Sequence, residues 1–265
     1  MLSYNGFEVK TGHFPDGTIL VKQQPNYGKV VHNILWFYEN NEELVTLMFL
    51  TKHLKSHGIE HISLFMPYVP NGRQDRVKSD EDVFTLKYFA EIINYLAFDE
   101  VWVLDTHSSV TDALINNIRH IDHMSFIKMA IHDVDTDNLL LFYPDQGSLK
   151  RYGDDVGMEY AFGIKNRDWA TGKILGLDVA GSVDKIKGRK ILIIDDICSK
   201  GGTFYHSAKK LKELGAGDIY LYVTHCEDTI FEGELINGDL IKHIYTTDSL
   251  LTKRHDKITV FDILV

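Results

Sequence analysis

An α/β fold with mainly parallel sheets is predicted by three observations. Short aliphatic runs alternate with helical periodicities. The runs are continuously apolar, as strands covered on both faces are. Several of them end in carboxylates, at the strand edge where open α/β sheets gather their ligands.

The first series is a strand over 30–37, a helix over 42–57 with Leu44, Leu47, Met48 and Leu54 at helical spacing, and a strand over 62–68. A second helix repeats Leu86, Phe89, Ala90, Ile93 and Leu96 and precedes a strand over 101–104. The second series is a strand over 139–143, a helix over 147–156 and strands over 160–164 and 191–194. It ends with a helix after Thr203, which Gly215 stops, and a strand over 219–224. The boundary is placed after Asn116-Asn117, giving units 1–118 and 119–265. The closing run 258–265 is read as a strand that could return to the first unit. Segment 70–82 has almost no apolar content and is predicted to be a long, exposed, mobile loop.

With 265 residues and 44% hydrophobic content, the chain can bury one large or two smaller cores. A formal net charge of −10 argues against a nucleic-acid surface, so bound phosphates must meet local Lys and Arg or metal ions. The apolar stretch 44–50 is far too short to span a membrane. Only Cys198 and Cys226 are present and no secretory or transit pattern opens the chain, so a reducing cytoplasm is expected.

The most specific segment is Asp195-Asp196-Ile197-Cys198-Ser199-Lys200-Gly201-Gly202-Thr203, after the aliphatic run 191–194. Adjacent Asp carboxylates can accept from the paired hydroxyls of a ribose. Ser199, Gly201, Gly202 and Thr203 supply hydroxyls and unobstructed N–H groups for a phosphate at a helix N-terminus. An ordinary strand-to-helix turn uses the same residue types, but the full order is more specific than Gly-Gly-Thr alone. A nucleotide P-loop sequence is absent.

Two other strand ends carry carboxylates: Asp105-Thr106-His107 and Asp145-Gln146-Gly147. Mg²⁺ on a polyphosphate takes one or two protein carboxylates and keeps several waters, so Asp105 and Asp145 suit it, with His107 expected to act through water or the nucleotide. In Lys165-Asn166-Arg167 the two cations share one side of an extended segment, which suits a phosphoryl group in transfer; an exposed basic pair is the plain alternative. Arg73, Gln74, Asp75 and Arg76 are read either as a solvated turn or as a grip on a purine nucleotide.

With these residues in order, the chain resembles the ribose-phosphate pyrophosphokinases (phosphoribosyl pyrophosphate synthetases). The likeness runs from about Phe14 to Asp248, through Phe14-Pro15-Asp16-Gly17, residues 67–76, Asp105-Thr106-His107, Pro144-Asp145-Gln146-Gly147, Lys165-Asn166-Arg167, the Asp195 segment and Thr224-His225. Phosphoribosyltransferases share the Asp-Asp segment but lack the Arg-Gln-Asp-Arg element. The resemblance implies two phosphoribosyltransferase-like domains holding ATP and a ribose 5-phosphate compound between them. It implies Mg²⁺-dependent transfer of a diphosphate from ATP to the sugar, with AMP leaving. ATP contacts fall on Arg73, Gln74, Asp75 and His107, and on Phe14, Asp16, Gly17 and Thr18 of a neighbouring subunit. Metal positions fall on Asp105, His107 and Asp145, and catalytic ones on Lys165 and Arg167. Ribose-phosphate contacts fall on Asp195, Asp196, Ser199, Lys200, Gly201, Gly202 and Thr203. A homo-oligomer, at least a dimer, follows from the shared site.

The chain departs from the family pattern at Ser199-Lys200, where Asp-Thr is usual, and at Thr18, where Glu is usual. The loop change adds about two units of positive charge at neutral pH. ADP-ribose, with its extra phosphate, therefore competes with ribose 5-phosphate as the expected acceptor, leading to nucleotide or NAD synthesis. From where the motifs fall, the chain is expected to start about one β-α unit late and to stop before the usual last helix, so neither a hexamer nor allosteric control is carried over. A phosphoribosyltransferase leaves Arg73-Gln74 and Lys165 with Arg167 unexplained. A non-catalytic paralogue has no chemical need for His107, Asp145, Lys165 and Arg167 together.

Overall fold

The computed structural model describes residues 1–23, 28, 31–167 and 174–264, and the side chains of 165–167 and 174–177 lie outside the description. The chain divides into two compact units, Met1–Ile121 and Asp122–Val265.

The first unit contains β1 (Leu2–Tyr4), β2 (Phe7–Glu8), β3 (Lys10–His13), β4 (Ile19–Lys22), β5 (Asn33–Trp36), α1 (Glu42–Ser56), β6 (Ser63–Phe65), α2 (Thr85–Leu96), β7 (Glu100–Leu104), α3 (Ser109–Leu114) and β8 (Ile118–Ile121). Its main sheet has the order β2-β1-β5-β6-β7-β8, while β3 and β4 form a separate hairpin. Strands β5 to β8 run parallel, and β1 is antiparallel to both neighbours. Helix α2 forms as its spacing predicts: Leu86, Phe89, Ala90, Ile93 and Leu96 are its buried residues. They enter one core with Ile34, Trp36, Leu47, Leu50, Leu54, Leu64 and Val101.

Segment 70–82 departs from expectation. Pro70, Gly72 and Asp75 are buried, and only the stretch from Arg76 to Glu81 is exposed throughout. Polar groups tie this segment down: the Asp82 carboxylate accepts from the N–H groups of Lys78 and Ser79, both at 2.9 Å, and the Leu86 backbone N–H donates to the Gln74 backbone carbonyl at 3.3 Å. An apolar count misses such anchors.

The second unit contains α4 (His123–Val134), β9 (Leu139–Tyr143), α5 (Gln146–Val156), β10 (Tyr160–Arg167), β11 (Ile174–Gly181), β12 (Lys190–Cys198), α6 (Gly202–Glu213), β13 (Ile219–Cys226), α7 (Glu234–Asn237), β14 (His243–Thr247) and β15 (Ile258–Phe261). The sheet order is β11-β10-β9-β12-β13-β14-β15, parallel except for β11. Strand β9 leads through α5 to β10 on one side, and β12 leads through α6 to β13 on the other. The order therefore reverses between β9 and β12, where open α/β sheets form a crevice at the carboxyl ends of their strands.

Helix α6 buries Phe204, Ser207, Ala208 and Leu211. It stops where Gly215 turns left-handed (φ +86°), with the Gly215 and Ala216 N–H groups bonded back to the Lys212 and Leu211 carbonyls. Two strands run further than predicted. β12 continues through Asp195 and Asp196 to Cys198, because Asp195, Ile197 and Cys198 stay in parallel register with Val223, His225 and Cys226. β10 includes Lys165 to Arg167, because its hairpin with β11 pairs their backbone. The final strand does not return to the first unit: β15 pairs in parallel with β14, and Phe261 stacks on Tyr245 and Phe126.

Candidate active site

In the first unit the relevant parts lie on the β3–β4 hairpin and around the end of β7. The hairpin tip is ordered by its own residues. The Asp16 carboxylate accepts from the Thr18 N–H at 3.0 Å and from the Thr18 hydroxyl at 2.7 Å, and these bonds hold its pKa below the usual range. Thr18, where Glu is usual, thus has a defined task. Phe14 closes the turn by accepting from Gly17 and stands 50% exposed.

At the end of β7, Asp105 is buried with φ +45°, a conformation that few residues other than Gly adopt and that clusters at ligand sites. Asp75 is buried in the turn above α2. The Arg76 guanidinium grips both its oxygens at 2.7 Å, the Ser108 hydroxyl donates to it, and His107 lies within its electrostatic reach. The Arg76 bonds come first in holding the Asp75 carboxyl well below the ordinary range. Ser108 also caps α3 by accepting from the Val110 N–H at 3.2 Å, so one hydroxyl joins the two loops. A methyl added at Gly72 would lie 3.6 Å from the His107 Cβ. Gln74 accepts from the Thr85 hydroxyl at 2.8 Å, which fixes it to the start of α2, and Arg73 is exposed. The Arg-Gln-Asp and Asp-Thr-His elements therefore form one constellation. Asp75 serves in it as an internal tie for Arg76 and Ser108, a role that its neighbours in sequence did not reveal.

In the second unit, Asp145 follows β9 and caps α5. Its Oδ1 accepts from the Gly147 and Ser148 N–H groups at 2.9 and 3.1 Å in a capping box. The adjacent strand β12 presents Asp195 and Asp196. The two stay close: the Asp196 N–H donates to Asp195 Oδ1 at 3.0 Å, and the Asp195 carboxyl lies within hydrogen-bonding reach of the Asp196 side chain. Asp196 is buried and paired with Arg151 of α5 at 3.0 Å. Asp195 is only partly exposed, and its carboxyl is pushed well above the usual range, first by loss of water and then by the charges of Asp196 and Asp145. Asp145 and Asp195 thus lie within electrostatic reach of each other at the reversal point of the sheet, where the crevice rule places ligands.

Beyond β12 the loop turns through Ser199, Lys200 and Gly201 (φ +82°) into α6, leaving Gly202 and Thr203 exposed at the helix N-terminus. Lys200 is not directed to solvent alone: its Nζ lies 2.7 Å from Glu232 Oε2. The backbone of Lys165 to Arg167 lies in β10, but the ladder shifts between Asn166 and Arg167, which interrupts the simple two-residue alternation there. The side chains of Lys165 and Arg167 lie outside the described residues. Among the described residues no group of three or more His, Cys, Asp or Glu is assembled to hold a metal ion.

Sequence reasoning missed Arg151, Ser108 and Glu232. Ser108 carried a signal, a hydroxyl residue directly before a helix. Arg151 and Glu232 carried none, because their partners are distant in sequence.

Fold and crevice define a two-domain α/β protein with phosphoribosyltransferase-like domains. No family model matches the chain. A ribose-phosphate pyrophosphokinase of Thermococcus kodakarensis is 30% identical over 223 residues, covering 82% of this chain and 77% of that protein. Another, of Pyrococcus abyssi, is 27% identical over 269 residues, covering 98% of this chain and 90% of that protein. The crystal structure of phosphoribosylpyrophosphate synthetase from Mycobacterium smegmatis matches with a TM-score of 0.83 at 20% identity, over 97% of this chain and 86% of that one. The chain belongs to the ribose-phosphate pyrophosphokinase family and is an enzyme of that diphosphotransferase type.

Proposed function

We propose that the protein transfers the β,γ-diphosphate of ATP to the C1 hydroxyl of ribose 5-phosphate, in the presence of Mg²⁺, giving phosphoribosyl pyrophosphate and AMP. The observation that carries this reading is the reversal point of the second sheet, where Asp145 and Asp195 lie within electrostatic reach and β12 leads into the exposed N-terminus of α6. The N–H groups there, with Ser199 and Thr203, take the 5′-phosphate. Asp195 accepts from the ribose hydroxyls, and Arg151 positions Asp196 behind it.

ATP is assigned to Arg73, Gln74 and His107 in the first unit, with Asp75 holding that turn. Phe14, Asp16, Gly17 and Thr18 of a neighbouring subunit complete its site, which makes the working form a homo-oligomer. Lys165 and Arg167 act on the equatorial and leaving oxygens as the anomeric hydroxyl attacks the β-phosphorus and AMP departs. The buried acidic character that raises Asp195 fits a hard divalent cation with oxygen ligands. Asp145 in the second unit and, separately, Asp105 with His107 in the first are the proposed holders of such ions, which would supply charge neutralisation and alignment of the diphosphate. The family's substrates and the two buried free thiols suit a cytoplasmic enzyme; among the described residues no helix is long and apolar enough to cross a membrane.

The test is incubation with ATP, Mg²⁺ and ribose 5-phosphate, followed by chromatography. AMP and phosphoribosyl pyrophosphate are expected together, and neither without the sugar. ADP-ribose serves as a second acceptor; Lys200, whose charge suggested it, is paired with Glu232. Release of AMP with ADP-ribose alone would reassign the acceptor, and no AMP with either would overturn the reading.

A further inference from the structure

The phosphate loop has a closed side and an open side. A methyl at Gly201 would overlap the Leu235 side chain, and one at Gly233 would overlap the Lys200 carbonyl oxygen. A methyl at Gly202 meets nothing within 4 Å. The closed side is the 3₁₀ turn Asp228–Glu232 together with α7. That segment is pinned at both ends. Asp228 accepts from the Thr252 N–H at 3.0 Å, and the Lys257 ammonium donates to the carbonyls of Leu235 at 2.8 Å and Gly238 at 2.6 Å. From this fixed support Glu232 holds the Lys200 ammonium, with both side chains largely exposed. Their bond raises the Lys200 pKa and lowers that of Glu232, so both stay charged at neutral pH.

We infer that Glu232 is a positioning residue for the acceptor: by drawing the Lys200 ammonium to the closed side of the loop, it limits the positive charge offered to the 5′-phosphate group. This rests on the proposed diphosphate transfer and names what tunes its acceptor site. An exposed ion pair is weak, so Glu232 biases the position of Lys200 and does not lock it. Without the Glu232 charge, Lys200 spends more time near the open side. Acceptors gain affinity in proportion to their phosphate charge, and ADP-ribose gains more than ribose 5-phosphate.

The test is a double-mutant cycle of Glu232→Gln and Lys200→Ala, read by titration calorimetry with ribose 5-phosphate and with ADP-ribose, beside steady-state kinetics. Glu232→Gln should tighten ribose 5-phosphate binding about two- to fivefold, the scale of an exposed pair, and lower KM without changing kcat. In the Lys200→Ala background the same change should have less than half that effect. Glu232→Asp, which keeps the charge, should restore most of the wild-type affinity even if Glu232→Gln proves poorly folded. Unchanged or weaker binding by a folded Glu232→Gln protein, or equal tightening in both backgrounds, overturns the inference. Ribose 5-phosphate binding without AMP release would sink the proposed reaction while the cycle still reads Glu232. No binding by the wild type would sink both.

Discussion

The acidic edges of the two units treat the same residue type in opposite ways. In the first, Asp75 is held by the Arg76 guanidinium and the Ser108 hydroxyl, and its carboxyl sits far below the ordinary range. In the second, Asp195 faces the charges of Asp196 and Asp145, and its carboxyl sits well above that range. At Asp75 the Arg76 bonds outweigh the loss of water, whereas at Asp195 the loss of water comes first and the charges of Asp196 and Asp145 add to it. In the first unit the Asp75 charge is matched within the protein, and the pair holds the turn that carries Arg73 and Gln74. In the second, Asp145 and Asp196 leave negative charge around Asp195, which the proposed metal ion and sugar would relieve.

The sharpest test of the second edge is Lys165→Ala. A cation acting on the transferred oxygens should cost 10²- to 10³-fold in kcat, roughly what loss of one transition-state donor costs, with far less change in ATP affinity. Steady-state kinetics with direct nucleotide binding separates the two, and equal losses would place Lys165 in ground-state binding. Next in size is Gly201→Ala. A left-handed backbone (φ +82°) and collision with Leu235 should together cost about 3 kcal/mol, seen in thermal melts or as weakened ribose 5-phosphate binding. A silent Gly201→Ala would mean that α7 does not shape the loop.

Asp75→Asn tests the first edge. Losing charge-assisted bonds from Arg76 and Ser108 should destabilise by about 2 kcal/mol. Because the folded pKa of Asp75 is depressed, its contribution is present above the unfolded value near 4 and lost as pH falls through the folded value. Melts in acid should therefore show the difference between wild type and Asp75→Asn shrinking as pH drops below about 4.

Much of the fold was legible because local pattern and final packing agree: α2 buries the five residues that its spacing marks, and β9 is the run Leu139–Tyr143. Helix α4 was legible but passed over, although Phe126, Ile127, Ala130, Ile131 and Val134 share one face and Asp122 caps it. The overrun of β12 past Ile194 could not be read, since two carboxylates resemble a loop until β13 lies alongside to pair with them. At the site, sequence supplied residue types but not pairings. Arg151 on Asp196 and Glu232 on Lys200 join distant segments, and even Asp75 with its neighbour Arg76 depends on a turn that only tertiary packing fixes.

The smallest expected effect bears most directly on the contrast between the edges. At Asp195 the folded pKa is raised, so the folded protein keeps this proton longer than the unfolded chain does, and ionisation opposes folding. Its penalty is absent below the unfolded value near 4, grows as pH rises toward the folded value, and is complete above it. Asp195→Asn should therefore stabilise the ligand-free protein at neutral pH by roughly 1 kcal/mol, a rise of about two to four degrees in Tm, while abolishing turnover. The gain should vanish in melts near pH 4, and added Mg²⁺ with ribose 5-phosphate should raise the wild-type Tm more than that of the variant. If Asp195→Asn instead lowers the neutral-pH Tm, the charge at this edge is already balanced within the protein, and the second edge works like the first.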